Sequence, residues 1–132
     1  MKAQQLKHLE SSKGYTLAVA ELMPEEAYDL KPVDGIWSFG EQLNHIVYGI
    51  HWWAEMFIRK VETDWAPPKP VNGKKKIISL LEKAYDELRK TYEESTGKED
   101  GFNATLDHIT HHRGQLIVYL RTKGIQPPEY VY

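Results

Sequence analysis

Ser38-Phe39-Gly40-Glu41-Gln42-Leu43-Asn44-His45-Ile46 is the stretch whose reading decides the fold. A serine followed three residues on by a glutamate, at the head of an apolar run, is a capping box. The hydroxyl accepts from a free backbone N–H of the first turn, and the carboxylate reaches back to the serine's own N–H. A helix therefore starts at about residue 39 and, on apolar spacing, runs to about residue 61. Leu43, Val47, Ile50, Ala54, Phe57 and Ile58 form one stripe, while Tyr48, Trp52 and Met56 lie roughly opposite. Only Asn44, His51 and Glu55 fill the narrow polar sector. A helix apolar on two sides needs two partners. One is the bundle core, and the other is expected to be a second subunit, which makes the chain a homodimer through this helix.

Working outward, Pro and Gly cluster in three places and separate three further helical candidates. The first covers about residues 3–23, with a weak stripe of Leu6, Leu9, Thr16, Ala20 and Met23 ahead of Pro24. The third covers about 74–94, with Ile77, Ile78, Leu81, Tyr85, Leu88 and Tyr92 inward and Gly97 just beyond. The fourth covers about 104–123 and stops at Gly124, before Pro127-Pro128. Between the second and third, Trp65-Ala66-Pro67-Pro68-Lys69-Pro70 is too long for a tight hairpin, and crossovers of that kind often border a functional cleft. No strand-like alternation competes. The fold class is all-α: a four-helix bundle with long crossover connections, and residues 1–132 read as one domain.

Composition narrows the partners. With 17 basic and 19 acidic residues and a net charge of −2, the chain offers no electropositive surface for nucleic acid. Lys74-Lys75-Lys76 reads as the exposed first turn of a helix, not as a phosphate clamp. Cysteine is absent, which excludes disulfides, thiolate ligands and a cysteine nucleophile. The residues 1–6 carry no signal-like apolar core, and no apolar stretch approaches the roughly 18 residues of a membrane span, so a cytoplasmic protein with no membrane contact is expected.

Chemistry concentrates in the histidines. In Asp107-His108-Ile109-Thr110-His111-His112-Arg113-Gly114-Gln115, His108 and His112 are four apart, which on a helix leaves them about 40° from each other on one face. Two imidazoles so placed can grip one metal ion. With Ile109, Leu116 and Leu120 marking the core direction, His108 and His112 fall on the flank of that stripe and His111 points away. On the second helix His45 sits with Trp52 and Met56 on the second apolar face, where a polar ring needs a partner. A metal is one such partner. A hydrogen bond at a core margin is another, and spacing alone leaves both readings open. His8 and His51 read as surface residues, and Trp37, Trp52, Trp53 and Trp65 as core and interface anchors. Arg113 must snorkel or find a carboxylate, and Gly114 is read as admitting a neighbouring helix.

Two segments resemble the DinB family, the damage-inducible bacterial bundle proteins that share a superfamily with thiol-dependent transferases. They are Trp37 through Ile46, and His108 through Arg121 followed by Gly124 and Pro127-Pro128. The resemblance implies an up-down-down-up bundle, usually dimeric. It also implies a divalent metal, typically nickel or zinc, held by one histidine of helix two and two of helix four. Here those positions are His45, His108 and His112. Iron and manganese also suit imidazole with water.

Two functions follow as expectations. The first is a metal-dependent enzyme, a hydrolase or thiol S-transferase acting on a small molecule, with three histidine ligands and positions left open for water or substrate. No general base is marked by the sequence. The second is a dimeric metal-binding or stress-response bundle without turnover. A third, plainer reading leaves the histidines as ordinary core-margin residues.

Overall fold

The computed structural model describes residues 2–130, with Met1, Val131 and Tyr132, and so the ends of the expected 1–132 domain, outside it. Among the described residues there are four long helices and no strand: α1 (Lys2–Leu22), α2 (Phe39–Ala54), α3 (Lys74–Glu93) and α4 (Glu99–Thr122). None is long and apolar enough to cross a membrane. Both α1 and α2 pack along α3 and along α4, so α1 and α2 stand diagonally across the bundle. The all-helical bundle expected from the sequence is the one observed.

Each helix is placed by local chemistry. The α2 capping box is complete: the Glu41 N–H donates to the Ser38 hydroxyl at 3.2 Å, and the Ser38 N–H donates to Glu41 Oε1 at 3.0 Å. Helix α3 turns its expected stripe inward, with Ile77, Leu81, Tyr85, Leu88 and Tyr92 all buried and Lys75 and Lys76 exposed in its first turn. The stripe of α1 is weak for a visible reason. Its buried face includes Ser12 and Thr16, whose hydroxyls hydrogen bond to the buried Tyr85 hydroxyl at 3.0 and 2.8 Å, so a polar network stands where leucines would otherwise be. Around it Leu9, Val19, Leu43, Ile46, Ile109 and Leu116 are fully buried, each contributing about 1.5–3 kcal/mol of transfer free energy.

Two boundaries differ from expectation. Helix two does not run on to residue 61 as a regular α-helix. After Ala54 it widens into a π turn over Glu55–Arg59 and ends at Lys60, whose φ of 60° is left-handed. Helix α4 starts at Glu99 instead of about residue 104, because Gly101 belongs inside it. A Cβ there would lie 2.1 Å from the Phe57 carbonyl oxygen, so the π turn and α4 touch backbone to side only at a glycine. Gly114, read as the residue of close approach, has open space where its Cβ would be, and that reading is corrected to Gly101 and, below, Gly49.

The second apolar face of α2, assigned in the sequence to another subunit, is covered by the chain's own crossover. Trp65 packs edge-on against Tyr48 and Trp52, at ring-centre distances of 4.8 and 5.3 Å. The Trp52 indole donates to the Thr63 carbonyl at 2.8 Å, and the Ala66 N–H donates to the Tyr48 hydroxyl at 2.8 Å. Asn44 clips the far end, accepting from the Val71 N–H at 2.9 Å and donating to the Val71 carbonyl at 3.0 Å. The crossover borders a cleft, as its length implied.

Candidate metal centre

Because α2 lies along α4, one line of each helix meets the other. On α2 that line is His45, Gly49 and Trp53, four residues apart; on α4 it is His108 and His112. Gly49 is what makes the meeting close. A Cβ at that position would fall 2.4 Å from His108 Cε1 and 2.8 Å from Nδ1, so the ring occupies the space a side chain would need. Trp53, one turn further, stacks on the same ring with centres 5.2 Å apart and 29° between the planes. Thus α2 supplies one histidine, a groove for the second and a wall behind it.

The three expected histidines come together. Ring centres of His45 and His112 are 4.2 Å apart, those of His108 and His112 4.6 Å, and those of His45 and His108 5.2 Å. Each offers one nitrogen such that the three lie within 4.8 Å of one another, and all three side chains are half-buried. No Asp, Glu or Cys among the described residues joins them. His111 faces solvent and stands beside His112 without entering the group, and His8 and His51 are exposed, as expected.

Hydrogen bonding fixes the state of one ring. The His112 Nδ1 lies 2.8 Å from Gln42 Oε1, an atom that only accepts, so Nδ1 carries the proton and Nε2 keeps its lone pair. That Nε2 faces the His45 Nε2 at 2.9 Å. Gln42 is itself buried and held, its amide donating to Gln115 Oε1 at 2.9 Å. The His108 Nδ1 is the one buried side-chain polar atom among the described residues with no hydrogen-bond partner. Burial first, then the neighbouring imidazoles, lower His112 to about 3 and His108 to about 4; burial and His111 also lower His45. At neutral pH all three rings are therefore neutral bases, the state a cation requires. An orphaned nitrogen, two ring nitrogens facing each other and a donor set of neutral imidazole together fit a divalent transition metal.

Two of the tryptophans expected as core and interface anchors lie outside the core. Trp37 and Trp65 are half-exposed instead of forming core, and they flank the histidines: Trp37 lies 4.5 Å from His45 between ring centres, and Trp65 lies 5.6 Å from it. Arg113 differs as well. It is buried, and among the described residues it finds neither solvent nor a carboxylate but aromatic faces, with Tyr15 at 4.7 Å and Tyr130 at 5.6 Å from its guanidinium carbon. Gln42 and Gly49 are the functional positions that sequence reasoning passed over. Gln42 carries one weak signal, an amide three residues before His45 on a face otherwise apolar.

Compared with known proteins, the chain matches the sequence model of the DinB family over residues 1–101. The chain belongs to the DinB family. The matched part contains His45 and ends before His108 and His112, which this DinB protein brings to the site through the packing of α4 on α2. No curated protein matches it. Among solved structures it is similar to a DinB-like protein from Bacillus subtilis, at 20% identity over 96% of this chain and 97% of that one, with a TM-score of 0.73. It is also similar to a DinB-like protein from Bacillus cereus ATCC 10987, at 19% identity over 97% of this chain and 95% of that one, with a TM-score of 0.80. At such identities the likeness speaks for the fold.

Proposed function

We propose that this DinB protein binds a divalent transition-metal ion through His45, His108 and His112 and works as a metal-dependent enzyme on a small molecule, as a hydrolase or a thiol S-transferase. The carrying observation is the convergence of three neutral imidazoles, one of them with a buried nitrogen that has no other partner. Nickel and zinc suit the all-imidazole set best, and iron or manganese are accommodated by the same donors. When bound, such an ion supplies Lewis acidity that makes a water or a thiol deprotonate near neutral pH. The chain's own residues do the rest. Gln42 keeps the His112 proton on Nδ1, Gly49 admits the His108 ring, and Trp37 and Trp65 flank His45.

Elemental analysis of protein prepared without an affinity tag tests the ion. One equivalent is expected in the native chain and none in His112→Ala, with the far-ultraviolet circular dichroism of the two nearly the same. Full occupancy in the variant ends the assignment. That no carboxylate joins the group among the described residues favours a second reading, a dimeric metal-binding or stress-response bundle without turnover. Metal content does not separate the two. A screen of the loaded protein for hydrolysis and for conjugation of low-molecular-weight thiols to electrophiles does, and silence in both arms selects the second.

A further inference from the structure

A cleft of about 540 Å³ opens beside His45, between α2 and the crossover. That volume suits a small molecule. Its walls are flat and carbon-rich, chiefly Trp37, Tyr48, Trp65, Pro67, Pro68 and Pro70. What identifies the occupant is the state of the polar side chains among them. Asn44 is fully engaged, its oxygen accepting from Val71 and its amide donating to Gly40 and Val71. The Tyr48 hydroxyl accepts from the Ala66 N–H and donates to the Asp64 carbonyl at 3.3 Å. Glu41 gives its Oε1 to the α2 cap. Of the other ionisable groups, Lys69 and His51 are exposed, and His45 stands where the cleft meets the histidine group.

A sugar or nucleotide seated between the aromatic and proline walls would find few free side-chain partners for its hydroxyls or phosphates, and each polar group buried there unpaired weighs against binding. A ring stacked on indole and proline faces meets no such loss. We infer that the cleft is the substrate pocket of this protein and takes a neutral, apolar, ring-bearing small molecule, gripped by its carbon skeleton with its reacting end at His45. The inference depends on the metal-centre reading only for which end reacts. His45 belongs to both the cleft and the histidine group, so a molecule seated in the one reaches the other.

The test uses 2-naphthol and the metal-free full chain, so that it stands or falls apart from metal binding. Titration followed by the indole N–H resonances in ¹H–¹⁵N spectra is expected to saturate at one site and to move Trp37 and Trp65 most. Trp65→Ala, in an irregular and half-exposed segment, is expected to weaken binding by about tenfold, the order of one aromatic face. Glucose at the same concentrations is expected to move nothing. Unsaturable shifts, equal affinity in Trp65→Ala, or saturation by glucose would each overturn the inference. As a second variant, Val47→Lys sends a charged chain into the cleft from α2 and is also expected to weaken naphthol binding by at least tenfold; unchanged affinity there counts equally against it. If metal binding fails its own test while naphthol still saturates, the pocket survives and the metal does not.

Discussion

A histidine offers two nitrogens, and a metal site depends on which one holds the proton. Gln42 makes that choice for His112. An acceptor on Nδ1 leaves Nε2 bare and aims the ring, while the hydrogen bond to Gln115 keeps the amide from turning over. Gln42→Leu is therefore expected to weaken metal binding by about 10–100-fold, the range usual for such outer partners. In the metal-free protein it also frees the His112 ring to take its other tautomer, visible in ¹⁵N imidazole shifts. Gln42→Glu, which still accepts, restores the tautomer. Affinity unchanged in the leucine variant removes the positioning role. His108 and His112 could be found in the sequence because imidazoles four apart on a core flank are chemically conspicuous, whereas His45 was joined to them by the family resemblance. Gln42 could not, since a single amide on a helix has no spacing that marks it, and both its partners, His112 and Gln115, lie about 70 residues further along the chain.

Among the elements, the glycines sort by what stands opposite them. Gly114 faces open space in the interior of α4, so Gly114→Ala is expected to stabilise the fold by about 0.5–1 kcal/mol through helix propensity alone. Gly101→Ala drives a methyl into the Phe57 carbonyl, which is backbone and cannot rotate aside, and is expected to destabilise by about 1–3 kcal/mol or more. Gly49→Ala meets a side chain instead. The His108 ring can swing away, so the expected result is lost metal binding with a smaller loss of stability. Urea midpoints and metal titrations on the three variants check the set, and a destabilised Gly114→Ala would break it. Helix starts and stripes were legible where chemistry is local, as in the α2 capping box and the α3 face. The π turn was not, because over only five residues the apolar pair Phe57 and Ile58 suits a regular α-helix as well as a widened turn. The early start of α4 was hidden for a related reason. A glycine near a helix end looks like a breaker until the surface it touches is known.

For the whole molecule, the bundle class was written in the Pro and Gly clusters that part four helical stretches, whereas the diagonal placement of α1 and α2 depends on which faces meet. The apolar second face of α2 carries the same lesson. Periodicity showed that something must cover it without saying what, and residues 60–72 supply a cover. A homodimer on the α2 side stays our proposal, with the outer surface of that crossover as the contact, where Val61 is half-exposed. Sedimentation equilibrium is expected to return twice the chain mass, and a single-chain mass at high concentration withdraws it.

Three indoles ring the histidines, Trp37 and Trp65 beside His45 and Trp53 against His108, each within 6 Å between ring centres. That ring gives the protein a built-in optical gauge. An open-shell ion such as nickel, seated among the imidazoles, drains the excited state of nearby indoles, whereas closed-shell zinc leaves their emission nearly intact. Whether the proposed ion is open-shell or closed-shell thus becomes a matter of brightness, readable from the chain's own light without any added dye.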